Sequence, residues 1–149
     1  IVEDKNILLS AMKLRDNDPA LQQKSDINID VYNLRILLTG HADNAEAVNR
    51  LSARLATLPR VRQVFDEVIT DVVPQDQGGL SDTYLTSKVN FSLLNTGIEG
   101  FAPLRIKVTS AFGTVYLMGL LTPDEAEKVT EKVRYVSGVK RVVRLFEYI

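Results

Sequence analysis

Cysteine is absent from this 149-residue chain, which excludes disulfides, a thiolate nucleophile and any Cys-based zinc site. It does not fix a compartment, because many proteins of oxidising compartments have no disulfides either. Histidine occurs once, as His41, with no second His and no helical Glu at ligand spacing, so no metal centre is expected. Ser10, Ser52 and Ser110 have no His beside them in the sequence, and the neighbouring carboxylates Asp66-Glu67 and Asp124-Glu125 do not make an acid/base pair. Gly78-Gly79 lacks the Lys-Ser/Thr of a phosphate loop. The expectation is a protein that is not an enzyme and has neither cofactor nor metal. No apolar run reaches 18 residues, so no membrane-spanning helix is expected. Neither sign of charge is in excess, with 18 Lys and Arg against 19 Asp and Glu, which speaks against a surface built for nucleic acid. The first residues, Ile-Val-Glu-Asp, include no Met, from which we expect a processed or trimmed chain.

What is present is an internal repeat. Ile27 to Gly40 (INIDVYNLRILLTG) lies without gaps over Ile106 to Gly119 (IKVTSAFGTVYLMG), with Ile, Leu and Gly identical. Val48, Leu51, Leu55, Leu58, Val61 and Val64 then fall on Ala126, Val129, Val133, Val136, Val139 and Val142, one residue out of step with the first segment. A length change after the shared glycine, where it is cheapest, accounts for that step. The chain is a tandem duplication.

Ile27, Ile29 and Val31 alternate with polar residues, and Ile36 and Leu38 flank Leu37, so both runs predict half-buried strands. Asn33 and Gly113 stand at the reversals, where tight hairpins require positive φ. The stripes Val48, Leu51, Leu55, Leu58 and Ala126, Val129, Val133, Val136 predict amphipathic helices, the second opened by Thr122-Pro123-Asp124-Glu125 as a capping box. Pro59 and Gly138 close them, and strands are expected to restart at Val61 and Val139. A weaker correspondence of Asp4, Ile7, Ala11 and Leu14 with Asp82, Leu85, Val89 and Ser92 predicts a leading helix in each copy. Each copy is thus expected to be αββαβ, an α+β unit of three strands backed by two helices and able to fold alone. Residues 1–70 form the first domain, 71–80 a linker and 81–149 the second domain. Gly40 and Gly119 are read as structural, required for positive φ or for close packing.

The αββαβ pattern, the glycine after the second strand and the closing Val61/Val64 and SGVKRV (Ser137 to Val142) resemble the BON domain. SDTYLTSKVNFSLL (Ser81 to Leu94), VYLMGLLTPDEA and VSGVKRV are similar to the second domain of the DolP-like dual-BON outer-membrane lipoproteins. In the first copy, LLTGHADNAEA keeps the glycine and little else of the pattern. The resemblance implies a lipoprotein on the periplasmic face of the outer membrane. It also implies an anchor through a lipidated cysteine that lies outside this sequence, anionic phospholipid bound by the first helix of the second domain, and a part in envelope integrity.

On a wheel of the helix expected over Asp82 to Asn95, Leu85, Val89 and Leu93 share the docking face. Tyr84, Lys88, Phe91 and Leu94 share another face, the mixture of aromatic, aliphatic and cation found on interfacial helices. From the residues alone this face fits either a lipid surface or packing against the first copy or the linker. The family resemblance implies lipid, with Tyr84 where the family usually has Trp. The second copy carries 9 Lys and Arg against 7 Asp and Glu, a small excess that attracts anionic headgroups weakly. Its densest basic run, Lys128, Lys132, Arg134, Lys140, Arg141 and Arg144, reads most simply as a solvated surface. The rival to lipid binding is a soluble periplasmic protein-interaction or chaperone-like module, with envelope proteins as partners.

Overall fold

A computed structural model of the chain describes residues 2–22, 25–72, 80–102 and 105–149, with residue 80 described by its backbone alone. The chain divides into two compact units, Ile1–Pro74 and Gln75–Ile149. In the first, α1 (Val2–Asp16) and a 3-10 turn (Pro19–Leu21) lead into strands β1 (Ser25–Tyr32) and β2 (Arg35–Ala42), helix α2 (Ala45–Ala56) and strand β3 (Gln63–Asp66). The second repeats the plan as α3 (Leu80–Ser92), β4 (Ile106–Ala111), β5 (Thr114–Leu121), α4 (Pro123–Arg134) and β6 (Arg141–Tyr148). Both sheets have three strands with the second strand central, antiparallel to the first and parallel to the last. The fold is α+β, with the αββαβ order in each copy. From residue 73 to 79 the expected linker lies outside the described residues.

Each core lies between a helix pair and one face of its sheet. Ile7 and Ala11 of α1 meet Ile27, Ile29, Ile36 and Leu38 of the sheet and Val48, Leu51 and Leu55 of α2. Leu85 and Val89 of α3, Val108, Val115 and Leu117 of the sheet, and Val129 and Val133 of α4 repeat that arrangement. The central strands depart from the half-buried expectation, because Leu37 and Met118, on the face away from these clusters, are buried too. Each has a cross-strand neighbour on both sides, which an edge residue does not.

Two-residue turns at positive φ close both hairpins: Asn33 and Leu34 in the first copy, Phe112 and Gly113 in the second. Leucine is an unusual occupant of that conformation, and Asp4 of α1 grips the turn. Its two carboxylate oxygens accept from the Asn33 amide at 3.0 Å and the Leu34 amide at 2.8 Å. After α2 and α4 the chain turns at Arg60 and Gly138, both at positive φ, so the strands start two residues later than expected. Val61 and Val139 belong to that turn, their amides donating to Leu58 and Val136 carbonyls.

The two structural glycines differ in cause. Gly40 has φ +107°, and a Cβ there would stand 1.9 Å from the Asp26 carbonyl oxygen. Gly119 is not at positive φ; close packing alone requires it, since a Cβ would lie 2.5 Å from the Arg105 carbonyl oxygen. At the same corner of the second unit, the Arg105 guanidinium donates to both Glu125 carboxylate oxygens, at 2.9 and 2.7 Å, and to the Leu120 carbonyl. Glu125 also completes the capping box with Thr122. The Arg105 hydrogen bonds, with the Thr122 amide, hold the Glu125 carboxyl down to about 2.

Gly40→Ala, which meets both strain and a carbonyl, is expected to cost more than about 3 kcal/mol, and Gly119→Ala about 1 to 3 kcal/mol. Denaturant titration of the full chain checks the order; equal costs would mean that positive φ contributes nothing at Gly40. A carboxyl with a depressed native value stabilises fully above its ordinary value, 4.5 here, and loses that contribution as the pH falls towards 2. The stability gap between wild type and Glu125→Gln should therefore be constant above that value and close below it, as melting curves across this range would show.

Candidate functional site

Helix α3 is where the second copy departs most from a helix that only fills a core. Leu85, Val89 and, just past its end, Leu93 are buried, and Thr86 donates to the Ser110 hydroxyl of β4 at 2.8 Å. These contacts occupy one side of the helix. On the other, Tyr84, Phe91 and Leu94 are 66%, 76% and 67% exposed. The polar residues interleaved with them, Thr83, Ser87, Asn90 and Asn95, are uncharged, so the face has Lys88 and no carboxylate. Asp82, in the first turn, is half-buried.

Leu94 differs from expectation in its backbone, because α3 begins at Leu80 and ends at Ser92, short of Asn95. The Ser92 hydroxyl donates back to the Val89 carbonyl at 2.7 Å, and the Leu93 and Leu94 amides reach Asn90 and Phe91 carbonyls in 3-10 fashion. This tightened last turn satisfies carbonyls that a helix end otherwise leaves unpaired. Leu94 stays solvent-facing, now in the turn beyond the helix.

Lys88 is tied down. Its ammonium lies 5.4 Å from the Tyr84 ring centroid and donates to the Ser137 carbonyl, at 2.6 Å, and to the Ser137 hydroxyl. A carbonyl, a hydroxyl and a π face orient the cation without neutralising it. Ser137 is 49 residues away in the turn after α4, and no local pattern in the sequence signals that contact.

Elsewhere, Arg134 pairs with Glu131 at 3.3 Å and Arg144 with Glu127 at 2.7 Å, so part of the basic run is balanced by carboxylates. The Glu127 hydrogen bond moves the Arg144 guanidinium up from its ordinary value. The buried Nε2 of His41 has no hydrogen-bond partner and lies 3.9 Å from an Asp43 oxygen. Among the described residues no three His, Cys, Asp or Glu side chains gather as a metal site, and no helix is long and apolar enough to cross a membrane.

The BON-domain family model matches residues 11–71 and again 81–149. Among curated relatives, the outer membrane lipoprotein DolP of Haemophilus influenzae is 24% identical over 148 residues, 99% of this chain and 76% of that protein. A 21 kDa hemolysin of Actinobacillus pleuropneumoniae is 28% identical over 134 residues, 89% of this chain and 67% of the relative. Among solved structures, CdsD, a structural protein of the type III secretion system of Chlamydia trachomatis, aligns with 97% of this chain and 92% of its own. Its identity is 13% and its TM-score 0.39.

The two sides of α3 should separate in stability measurements. Leu85→Ala is expected to destabilise by about 2 to 4 kcal/mol, and Phe91→Ser or Leu94→Ser to stay within about 0.5 kcal/mol of wild type. Thermal melts of the three variants check this; early melting of either serine variant would put its side chain in the core.

Proposed function

This chain belongs to the BON-domain family, which it carries twice, and from that premise we propose that it is a non-enzymatic envelope protein whose second unit binds anionic phospholipid through the outward face of α3. The carrying observation is that face: two aromatics and a leucine held in water by a helix whose opposite side is fully docked. Exposing large apolar side chains together costs stability or solubility unless a partner covers them. Tyr84 suits a membrane boundary, with its ring at headgroup level and its hydroxyl wet. The absence of carboxylates removes the repulsion that an anionic surface would exert, and Lys88 supplies attraction. The similarity to an outer membrane lipoprotein supports a place at the outer membrane. In this reading the protein sits on its periplasmic face, anchored by a lipidated cysteine outside this sequence, and supports envelope integrity. The first unit assists the second or meets an envelope protein.

Leu94→Glu tests the reading, since the substitution removes an apolar contact and sets a carboxylate against anionic headgroups. Wild type is expected to co-sediment with phosphatidylglycerol vesicles in preference to phosphatidylcholine ones, less so at high salt. Leu94→Glu should bind at least about tenfold more weakly with an unchanged melt. Undiminished sedimentation of the variant would remove α3 as the membrane face, and a wild type that sediments with neither kind of vesicle would favour the soluble interaction module.

A further inference from the structure

Beside the outward face of α3 opens a cleft of about 590 Å³, walled by Tyr84 and Lys88 of the helix, Gly113 of the β4–β5 turn, Ser137 of the turn after α4, and Lys140. We propose that this cleft binds a phosphate ester of about the size of glycerol phosphate, with Lys88 and Lys140 as its cationic walls and the Ser137 hydroxyl as a hydrogen-bond partner. The proposal rests on the membrane-face reading, because the cleft shares Tyr84 and Lys88 with that face. It adds a specific anion seat to what would otherwise be an apolar contact.

Three observations carry it. Lys88 is already positioned: two of its three N–H donors go to Ser137, and the tether brings its charge to the cleft wall without cancelling it. An oriented cation loses less conformational freedom when it meets an anion than one moving freely in solvent. Lys140 lines the cleft beside Gly113. Its stem crosses that residue so closely that a Cβ there would stand 2.8 Å from its Cδ. On its other side Lys140 lines a second cleft, of about 470 Å³, with Arg134, Tyr135 and Arg141, so positive charge continues past the first. Among the described residues Asp82 is the one carboxylate lining either cleft. It stands at the repeat position of Asp4, whose oxygens serve the hairpin turn in the first copy.

The first copy provides the internal contrast. At the positions of Lys88, Gly113 and Ser137 it has Ser10, Leu34 and Pro59, and Leu34 packs against the core. Arg60, at the place of Gly138, reaches towards Glu3 at 3.9 Å. The same scaffold thus carries neither the oriented lysine nor the open glycine corner, although it keeps a cation, Arg62, at the position of Lys140, its guanidinium donating to the Asn33 carbonyl at 3.4 Å.

The test is amide NMR on the full chain titrated separately with glycerol 3-phosphate and with inorganic phosphate, together with phosphatidylglycerol vesicle binding. It uses wild type, Lys140→Gln, Lys140→Arg and Leu94→Glu. Expected are saturable shifts centred on Gly113, Ser137 and Gly138 with glycerol 3-phosphate, lost in Lys140→Gln and restored in Lys140→Arg. Stronger response to the ester than to inorganic phosphate supports a glycerol-bearing ligand. With the shifts present in wild type and lost in Lys140→Gln, a fall of about fivefold in that variant's vesicle affinity identifies the ligand as a lipid headgroup, and unchanged vesicle affinity identifies a free ester. Absence of saturable shifts at these residues, or shifts that survive Lys140→Gln, overturns the proposal. Leu94→Glu tells the two readings apart: if it still sediments with vesicles while glycerol 3-phosphate shifts the cleft, the face is wrong and the cleft stands. If it loses the vesicles while no variant shows cleft shifts, the face stands and the cleft is wrong.

Discussion

The close approach of two backbones at the open end of each hairpin is the constraint around which each unit is built. Gly40 faces the Asp26 carbonyl and Gly119 the Arg105 carbonyl at distances no side chain could share. Together with the two-residue turn at the other end, this leaves each hairpin one register, pairing Ile27 with Gly40 and Ile106 with Gly119. A slip of one residue would turn Ile29 and Val108 from the core to the opposite face. The helices have a surface to dock on only because that register holds, and α3 has an outward face only because its inward one is docked.

Within this shared frame the copies have diverged at the corners rather than in the middle. Asn44 caps α2 through the Ala47 amide, whereas Thr122 and Glu125 cap α4 reciprocally and recruit Arg105. Strand β6 pairs with β5 from Arg141 to Tyr148, whereas β3 pairs with β2 over four residues, followed by one bridge between His41 and Ile69. The last strand of the second unit is thus the more extensively paired, and that unit is also the one that exposes Tyr84, Phe91 and Leu94. Stability that the clamp and the long strand contribute can offset the cost of keeping those side chains in water.

The elements were legible in the sequence wherever a local period carried them: the helical stripes, the alternating strands, and the turns marked by Asn33 and Gly113. Boundaries were not legible where backbone geometry overrode side-chain preference. Val61 and Val139 favour strands by type, yet the positive φ at Arg60 and Gly138 holds them in turns. The wheel of α3 separated docked from exposed residues because it depends on spacing alone, but the 3-10 ending that places Leu94 beyond the helix is made by backbone bonds, with the Ser92 hydroxyl bonded beside them, that spacing does not encode. The cause of Gly119 and the partner of Lys88 lay out of reach for the same reason. Each is set by residues distant in the chain, Arg105 in one case and Ser137 in the other.

The grip of Asp4 on the first hairpin turn ties together parts of the chain that would otherwise open separately. Leu34 holds an uncomfortable backbone conformation while its amide and that of Asn33 are bonded to a carboxylate on α1. If the helix frays through its first turn, both amides lose their acceptor and the turn loses its brace at once. Exchange of those two amide protons with solvent would then report the opening of a helix 29 residues earlier in the chain, making the leading helix and the hairpin one cooperative unit rather than two.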